Sequence, residues 1–241
     1  MTWIYLNNTT TYRVKAIWKT LQGEGLFAGR PAVFVRMVGC NMWSGYAHTR
    51  QRDAERNEAF CPLWCDTDFT KEGSATYTAH ELADAMATAG GDIRFCVITG
   101  GEPLMQLDAA LVKALHDTGF FIAIETNGTM TLQESCWDAD NQKLEAPDWI
   151  VCSPKQKEEK LQLEYFDELK LVVPDYHPER YINFAQRQRK HEVQGAALPL
   201  LWVQPEDGLR LQAAREIAIA LSLGDSQWRV SVQTHKILDV E

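Results

Sequence analysis

Short apolar runs rich in β-branched residues recur along the chain, with helix-like stretches between several of them. The runs at 32–38, 94–99, 120–125, 149–153, 169–173 and 198–204 read as strands, with a seventh at 229–233 and an N-terminal one at 12–18. They are near-continuous rather than alternating, as expected for strands covered on both faces. Helices are expected at 79–89, 107–117, 178–190 and 209–221. In the second, Leu107, Leu111 and Leu115 recur every four residues and so share one face. Thr78 and Glu81 have the spacing of a capping box, and Gly119 is a stop signal. Strand–helix alternation predicts an α/β fold with a mainly parallel sheet, either open or curled into a partial barrel. The polar stretches 45–58 and 138–147 read as loops.

A length of 241 residues fits a single domain over 1–241 without disulfide staples. No apolar run is long enough to span a bilayer, and the first residues lack the basic and apolar parts of a signal peptide. These features predict a cytoplasmic protein with no membrane partner. The net charge of −9 and the lack of a long basic run argue against nucleic acid and for a small-molecule ligand. The short cluster Arg187, Arg189, Lys190 reads as a solvated helix face. Among six cysteines, Cys96 and Cys152 lie in apolar runs, and Cys136 has no partner nearby; all three read as small buried hydrophobes.

The other three cysteines differ. The strand at 32–38 ends at Gly39-Cys40; after a polar excursion come Cys61-Pro-Leu-Trp-Cys65 and then Asp66-Thr67-Asp68-Phe69. Thiolates beyond a strand's C-terminal end lie where α/β folds place their sites. Three options fit: a [4Fe–4S] cluster with one iron left open, a zinc site with His48 as a fourth ligand, or plain core cysteines. Other polar sets also follow strands: Thr99-Gly100-Gly101-Glu102-Pro103, Glu125-Thr126-Asn127-Gly128, Ser153-Pro154-Lys155 and Gln204-Pro205-Glu206-Asp207. Leu21-Gln22-Gly23-Glu24-Gly25 precedes the first strong strand. One such set can be an ordinary turn, but several strand ends sharing one rim favour a binding site.

Together these motifs resemble the 7-carboxy-7-deazaguanine synthase family of radical S-adenosylmethionine (SAM) enzymes. The resemblance runs from about residue 12 to the C-terminus on TLQGEG at 20–25, GRPAVFVRMVGCNMWSG at 29–45, CDTDF at 65–69, TGGEP at 99–103, IETNG at 124–128, SPK at 153–155, ELK at 168–170, VQPEDG at 203–208 and QTHK at 233–236. TGGEP is common to many radical SAM enzymes; TLQGEG, CNMWSG, CDTDF and QTHK together are narrower. The resemblance implies a partial (β/α) barrel with about six parallel strands and fewer helices. By position, Cys40, Cys61 and Cys65 would hold a [4Fe–4S] cluster. Trp64, Cys65, Asp66, Gly101, Glu102, Ser153, Pro154, Lys155, Gln204, Pro205, Glu206 and Asp207 would hold SAM. Thr67 would bind Mg²⁺. Leu21, Gln22, Gly23, Glu24, Arg36, Thr99, His235 and Glu241 would line the substrate site.

The implied reaction converts 6-carboxy-5,6,7,8-tetrahydropterin to 7-carboxy-7-deazaguanine with release of ammonia, in queuosine or 7-deazapurine biosynthesis. It implies an electron donor such as flavodoxin or ferredoxin, and a homodimer. The cysteine spacing departs from the common CxxxCxxC: twenty residues separate Cys40 from Cys61, and three separate Cys61 from Cys65. A glycyl-radical-activating enzyme would share the cluster and TGGEP but not TLQGEG and QTHK. A zinc-binding interaction module would leave the polar strand ends unexplained.

Overall fold

The computed structural model describes residues 10–60, 67–187 and 199–240. Strands β1 (Tyr12–Leu21) and β2 (Pro31–Met37) form an antiparallel hairpin, and β3 (Ala75–Tyr77) adds to β1. From β2 the sheet continues in parallel through β4 (Phe95–Gly100) and β5 (Phe121–Thr126). The small hairpin β6 (Trp137–Asp138) and β7 (Lys143–Leu144) stands apart as a second sheet. Strands β8 (Trp149–Cys152), β9 (Glu168–Val173), β10 (Leu200–Pro205) and β11 (Trp228–Val230) complete the parallel part. The order is β11-β10-β9-β8-β5-β4-β2-β1-β3, with β11 and β3 at the two edges. Seven of these nine strands are parallel, where the resemblance implies about six; the last is the three-residue β11, at the place of the seventh strand expected at 229–233.

Helices are α1 (Arg50–Arg56), α2 (Ala79–Gly90), α3 (Ala109–Asp117), α4 (Leu132–Cys136), α5 (Ile182–Arg187), α6 (Leu211–Gly224) and α7 (Thr234–Ile237). The Thr78–Glu81 capping box starts α2: the Thr78 hydroxyl accepts from Glu81 N, and the Glu81 carboxylate accepts from Thr78 N. Helix α3 starts two residues later than predicted, because the Asp108 carboxylate caps it by accepting from Leu111 N at 2.9 Å. Leu107, Leu111 and Leu115 are all buried, as their spacing requires.

Two segments differ from the sequence pattern. The helix expected at 178–190 divides into a 3₁₀ turn at Pro178–Arg180 and the shorter α5; residues 188–190 lie outside the described residues. Tyr181 leaves helical geometry (φ −131°) to bury its ring and donate its hydroxyl to Gln156 O at 2.7 Å. The polar stretch 45–58 is not all loop, for it contains α1. That helix buries only Asp53 and Ala54, so it leaves no apolar period to read.

One face of the sheet is covered by helices. Val33, Val35, Met37, Cys96, Ile98, Ile122, Ile124, Ile150 and Cys152 pack there with Leu82, Met86, Leu111 and Leu115. Cys96, Cys136 and Cys152 are fully buried, and burial raises all three thiols, Cys136 to about 12. The opposite face is apolar at the strands' N-terminal ends. There Ala32, Phe95, Val97 and Ala123 form a second core, with Phe27 and Trp149 packed on it and the Arg30 guanidinium 4.2 Å from the Phe95 ring. Moving toward the strands' C-terminal ends, the same face turns polar: Arg36 pairs with Thr99 across β2 and β4, and Glu125, Lys170 and Gln204 follow on β5, β9 and β10. This change of character along one face places the site. Among the described residues no helix is long and apolar enough to cross a membrane.

Candidate active site at the C-terminal strand ends

The first part of the site is built around Cys40. It follows β2 and is half-buried, and Met42 N lies 3.4 Å from its sulfur. Three distant segments hold its backbone and neighbour. Gly39 N donates to Phe69 O at 3.0 Å, which ties the CDTDF segment to the end of β2. Glu102 N donates to Gly39 O at 2.9 Å. Asn41 Oδ1 accepts from Asn127 Nδ2 at 3.0 Å, and Asn41 Nδ2 donates to Thr129 Oγ1 at 2.8 Å. The approach of TGGEP is close enough to demand glycine: a Cβ on Gly101 would lie 2.0 Å from Gly39 O and 2.7 Å from Cys40 Cβ.

Glu102 is fully buried behind this contact. Its carboxylate accepts from Leu104 N (3.1 Å), Thr126 Oγ1 (2.7 Å) and Asn127 N (2.8 Å). Burial with no cation beside it among the described residues pushes its pKa up to about 7, against the pull of those three donors. Ser153 N donates to Thr126 O at 2.8 Å, and Lys155 Nζ donates to Ser153 Oγ at 2.9 Å and lies 5.3 Å from the Tyr176 ring centre. Pro154 is buried between them in sequence. Gln156 Nε2 donates to Asn57 O, so the end of α1 is clipped to this same loop. Thr67 is half-buried; Asp68 beside it pairs with Lys15 at 2.7 Å, and hydrogen bonds from Lys15 and Thr70 lower its pKa to about 2. Cys61, Trp64, Cys65 and Asp66 lie outside the described residues, as does Glu241. His48, a possible fourth ligand from sequence, is exposed and lies beside Tyr46. Among the described residues no group of three His, Cys, Asp or Glu side chains is placed to hold a metal ion.

The second part is a charged cluster closed by the segments 22–24 and 231–235. Lys170, nearly fully buried on β9, donates to Glu24 Oε2 and lies 3.3 Å from Glu125 Oε2. Glu24 Oε1 accepts from Gln204 Nε2 (3.0 Å) and Gln233 Nε2 (2.8 Å). Ser231 donates to Gln204 Oε1, and Gln22 Nε2 lies 3.3 Å from Glu125 Oε1. Desolvation alone would raise Glu24; Lys170 and the two amides overcome it and lower its pKa to about 2. Lys170 is raised in turn, since its two carboxylates outweigh the desolvation of its ammonium. The QTHK segment docks on TLQGEG: Thr234 N and Oγ1 both donate to Gly23 O, and a Cβ on Gly23 would lie 1.8 Å from His235 Nδ1.

The structure thus brings Gln22, Gly23, Glu24, Gln204 and His235 into one cluster. Arg36 and Thr99 stand beside it on the same face, with the Arg36 guanidinium 5.0 Å from the Trp18 ring. Nε of Arg36 and Nε1 of Trp18 and Trp202 are buried on this face with no hydrogen-bond partner among the described residues. Leu21 stands apart, lining a groove of about 530 Å³ beside Trp18, Pro31 and Val240. Pro205 is buried at the end of β10. Glu206 and Asp207 are turned to ion pairs, the first with Arg210 and the second with Lys236 at 2.6 Å. From sequence, Glu125 belongs to a polar set on the rim but has no role of its own, Lys170 and Gln233 stand only inside motifs, and Ser231 is passed over. Lys170 carried a readable signal, a lysine inside the apolar strand ELKLVV, which burial permits only with a partner.

No family model matches the chain. Curated relatives match nearly end to end. A 7-carboxy-7-deazaguanine synthase of Bradyrhizobium diazoefficiens is 42% identical over 239 residues, covering 95% of this chain and 99% of the relative. The enzyme of the same name from Caulobacter vibrioides is 43% identical, covering 95% and 98%. One from Burkholderia multivorans is 40% identical, covering 95% and 99%. The fold is similar to the crystal structure of QueE from Escherichia coli, with a TM-score of 0.62 at 22% identity over 92% of this chain and 94% of that one. An incomplete parallel barrel with its polar rim at the strand ends, together with relatives of this identity over almost the whole length, makes the chain a member of the 7-carboxy-7-deazaguanine synthase family.

Proposed function

We propose that the Cys40 region and the Lys170 cluster are the two halves of one active site, for a radical SAM cofactor set and a carboxypterin respectively. The observation that carries this is the meeting of TGGEP with Gly39-Cys40, where only a glycine at 101 allows the contact. The residues fit the cofactors. Cys40 offers a soft thiol at a strand end, and Cys61 and Cys65 supply the other two ligands of a [4Fe–4S] cluster. When bound, cluster and SAM supply the electron and the carbon radical that start the reaction.

The chain's own residues bind and orient. Glu102 is a buried carboxylate without a cation, so the amino group of SAM is the charge it lacks; an arriving ammonium stabilises its ionised form. Gly101, Ser153, Pro154, Lys155 and the 204–207 segment flank SAM, with Trp64, Cys65 and Asp66 beside it. Gln22, Gly23, Glu24, Arg36, Thr99 and His235 enclose the substrate, and Leu21 and Glu241 are further candidate contacts for it. Arg36 Nε, buried with no hydrogen-bond partner among the described residues, is a donor left for a substrate acceptor. Thr67 offers a hard oxygen for Mg²⁺, which would stabilise charge and orient the substrate. The reading includes a flavodoxin- or ferredoxin-like donor, a homodimer and a cytoplasmic location.

The test is anaerobic. Protein purified and reconstituted without oxygen should hold about four irons per chain. With SAM and reductant it should consume 6-carboxy-5,6,7,8-tetrahydropterin and form 7-carboxy-7-deazaguanine. A chain that cleaves SAM but leaves the carboxypterin untouched sinks the substrate reading; a colourless chain with one zinc sinks the whole of it.

A further inference from the structure

We infer that Asn57 is a positioning residue for the cluster and SAM: its side chain fastens the folded segment between Cys40 and Cys61 to the Cys40 loop, and its backbone fastens the same segment to the loop that carries Ser153-Pro154-Lys155. Asn57 has this role on the footing of the proposed cofactor set, and it gives the long first cysteine gap a task of its own.

The gap is long in sequence and short in space. Twenty residues separate Cys40 from Cys61, yet the start and end of the segment meet. Asp53, buried on α1, accepts from Ser44 N at 2.9 Å and from Thr49 Oγ1 at 3.0 Å, so the segment folds back on its own beginning. Ala59 N donates to Ala54 O at 3.0 Å, and Ala59 and Cys40 both pack on the small cluster of Met42, Trp43 and Phe69. Residues 44–58 are therefore an excursion whose two ends close beside Cys40.

Asn57 stands at that closure. Its amide Nδ2 donates to Met42 O at 2.5 Å and to Asp53 O at 2.9 Å. Both partners are carbonyl oxygens and accept only, so the side chain between them must bring two donors, as an asparagine amide does and an aspartate does not. The Asn57 carbonyl in turn accepts from Gln156 Nε2 at 2.7 Å. Gln156 is buried, and its own carbonyl is held by the Tyr181 hydroxyl at 2.7 Å. The residues after Asn57 repeat the attachment. Glu58 pairs with Lys157 at 3.2 Å and Lys160 at 2.7 Å. Phe60 lies 4.2 Å from the Arg180 guanidinium and 6.1 Å from the Tyr176 ring, and that ring also meets the Lys155 ammonium. The segment that leads into Cys61 is thus fixed relative to both Cys40 and Lys155, and Asn57 is the residue bonded to both sides.

The experiment reads three quantities on the full chain. These are amide hydrogen exchange of α1 in metal-free protein, iron per chain after anaerobic reconstitution, and the change in the electron paramagnetic resonance signal of the reduced cluster as SAM is added. Asn57→Asp keeps the shape and removes both donors. Its α1 amides should exchange roughly tenfold faster before any metal is present. Its iron content should fall to about half or less, because a preformed ligand loop is lost. Gln156→Leu cuts only the second attachment. Its iron should stay near that of the unaltered chain, while the SAM concentration that half-completes the signal change rises roughly fivefold. Glu58→Gln weakens only exposed ion pairs and should leave all three readings unchanged. Should Asn57→Asp fail to fold, Asn57→Ser, with one donor and no charge, must show the same faster exchange and loss of iron. Asn57→Asp with faster exchange or lower Tm but normal iron and a normal SAM response is a support for the helix alone and overturns the inference. So does a Gln156→Leu chain with an unaltered SAM response, or a Glu58→Gln chain that loses as much iron as Asn57→Asp. If the unaltered chain itself takes up no iron, the proposed activity fails instead; the exchange of α1 is read without metal, so the two failures are distinct.

Discussion

Glu24 and Glu102 are both buried carboxylates among the strand ends, and the fold treats them oppositely. Among the described residues Glu102 is met by two backbone N–H groups and a hydroxyl but no cation, and its pKa rises to about 7. Glu24 is met by Lys170 and two amides, and its pKa falls to about 2. Three neutral donors therefore do not offset full desolvation here, whereas a buried ammonium together with two amides does. A carboxylate with its own cation is complete as folded. One without is left to gain from a positive charge brought beside it.

The contact in front of Glu102 offers the largest effect. Gly101→Ala places a methyl 2.0 Å from Gly39 O, against backbone that cannot swing aside. Overpacking of this kind costs about 1–3 kcal/mol, and here it also displaces Cys40. Iron content after anaerobic purification should drop by most of its value, and Tm should fall. Retention of both would mean the strand ends yield more than the geometry implies.

Next is the charge on Glu102. Its folded pKa lies above the ordinary 4.5, so its share of stability is complete below about 4.5 and is lost as pH rises through about 7. Glu24 runs the other way: its share is present above 4.5 and is lost as pH falls toward about 2. In Glu102→Gln, Tm between pH 5 and 8 should lose the downward component present in the unaltered chain. The amide also turns an NH₂ toward at least one of three donors, which costs about 1–3 kcal/mol. If the difference in Tm slope is absent, the contrast between the two carboxylates is wrong.

The smallest effect should appear at Gly23. Gly23→Ala pushes His235 off its seat without touching Cys40 or Glu102. KM for the carboxypterin should rise several-fold while uncoupled SAM cleavage stays unchanged. Equal loss of both would show that the two halves are not separable.

The parallel strands were legible because each is a short apolar run ending in a polar set, and that same layout marked the rim. Leu107, Leu111 and Leu115 showed a helix face because an amphipathic helix repeats on its buried side. Helix α1 was hidden because it buries an aspartate and an alanine, Asp53 being satisfied by Ser44 N, Thr49 and Arg52. The Cys40 motif and Gln22, Glu24 and Gln204 could be named from local sequence. The bond joining them could not: which lysine sits opposite Glu24 depends on β9 lying two strands from β5, a fact of strand order. Likewise the glycine at 23 reads as a turn until His235 is seen to occupy the space of its missing side chain.

That last contact bears on how the molecule comes together in time. Thr234 reaches back to Gly23 across 211 residues, and Gln233 reaches Glu24 across 209. Contacts of such separation carry a large loop-closure cost and form after the local ones. A chain emerging from the ribosome can assemble the hairpin of β1 and β2 and the strands beside it long before Gln233 and Thr234 are available. The cage around Glu24 is therefore among the last parts to close, and it stays open until the chain has been made through Thr234.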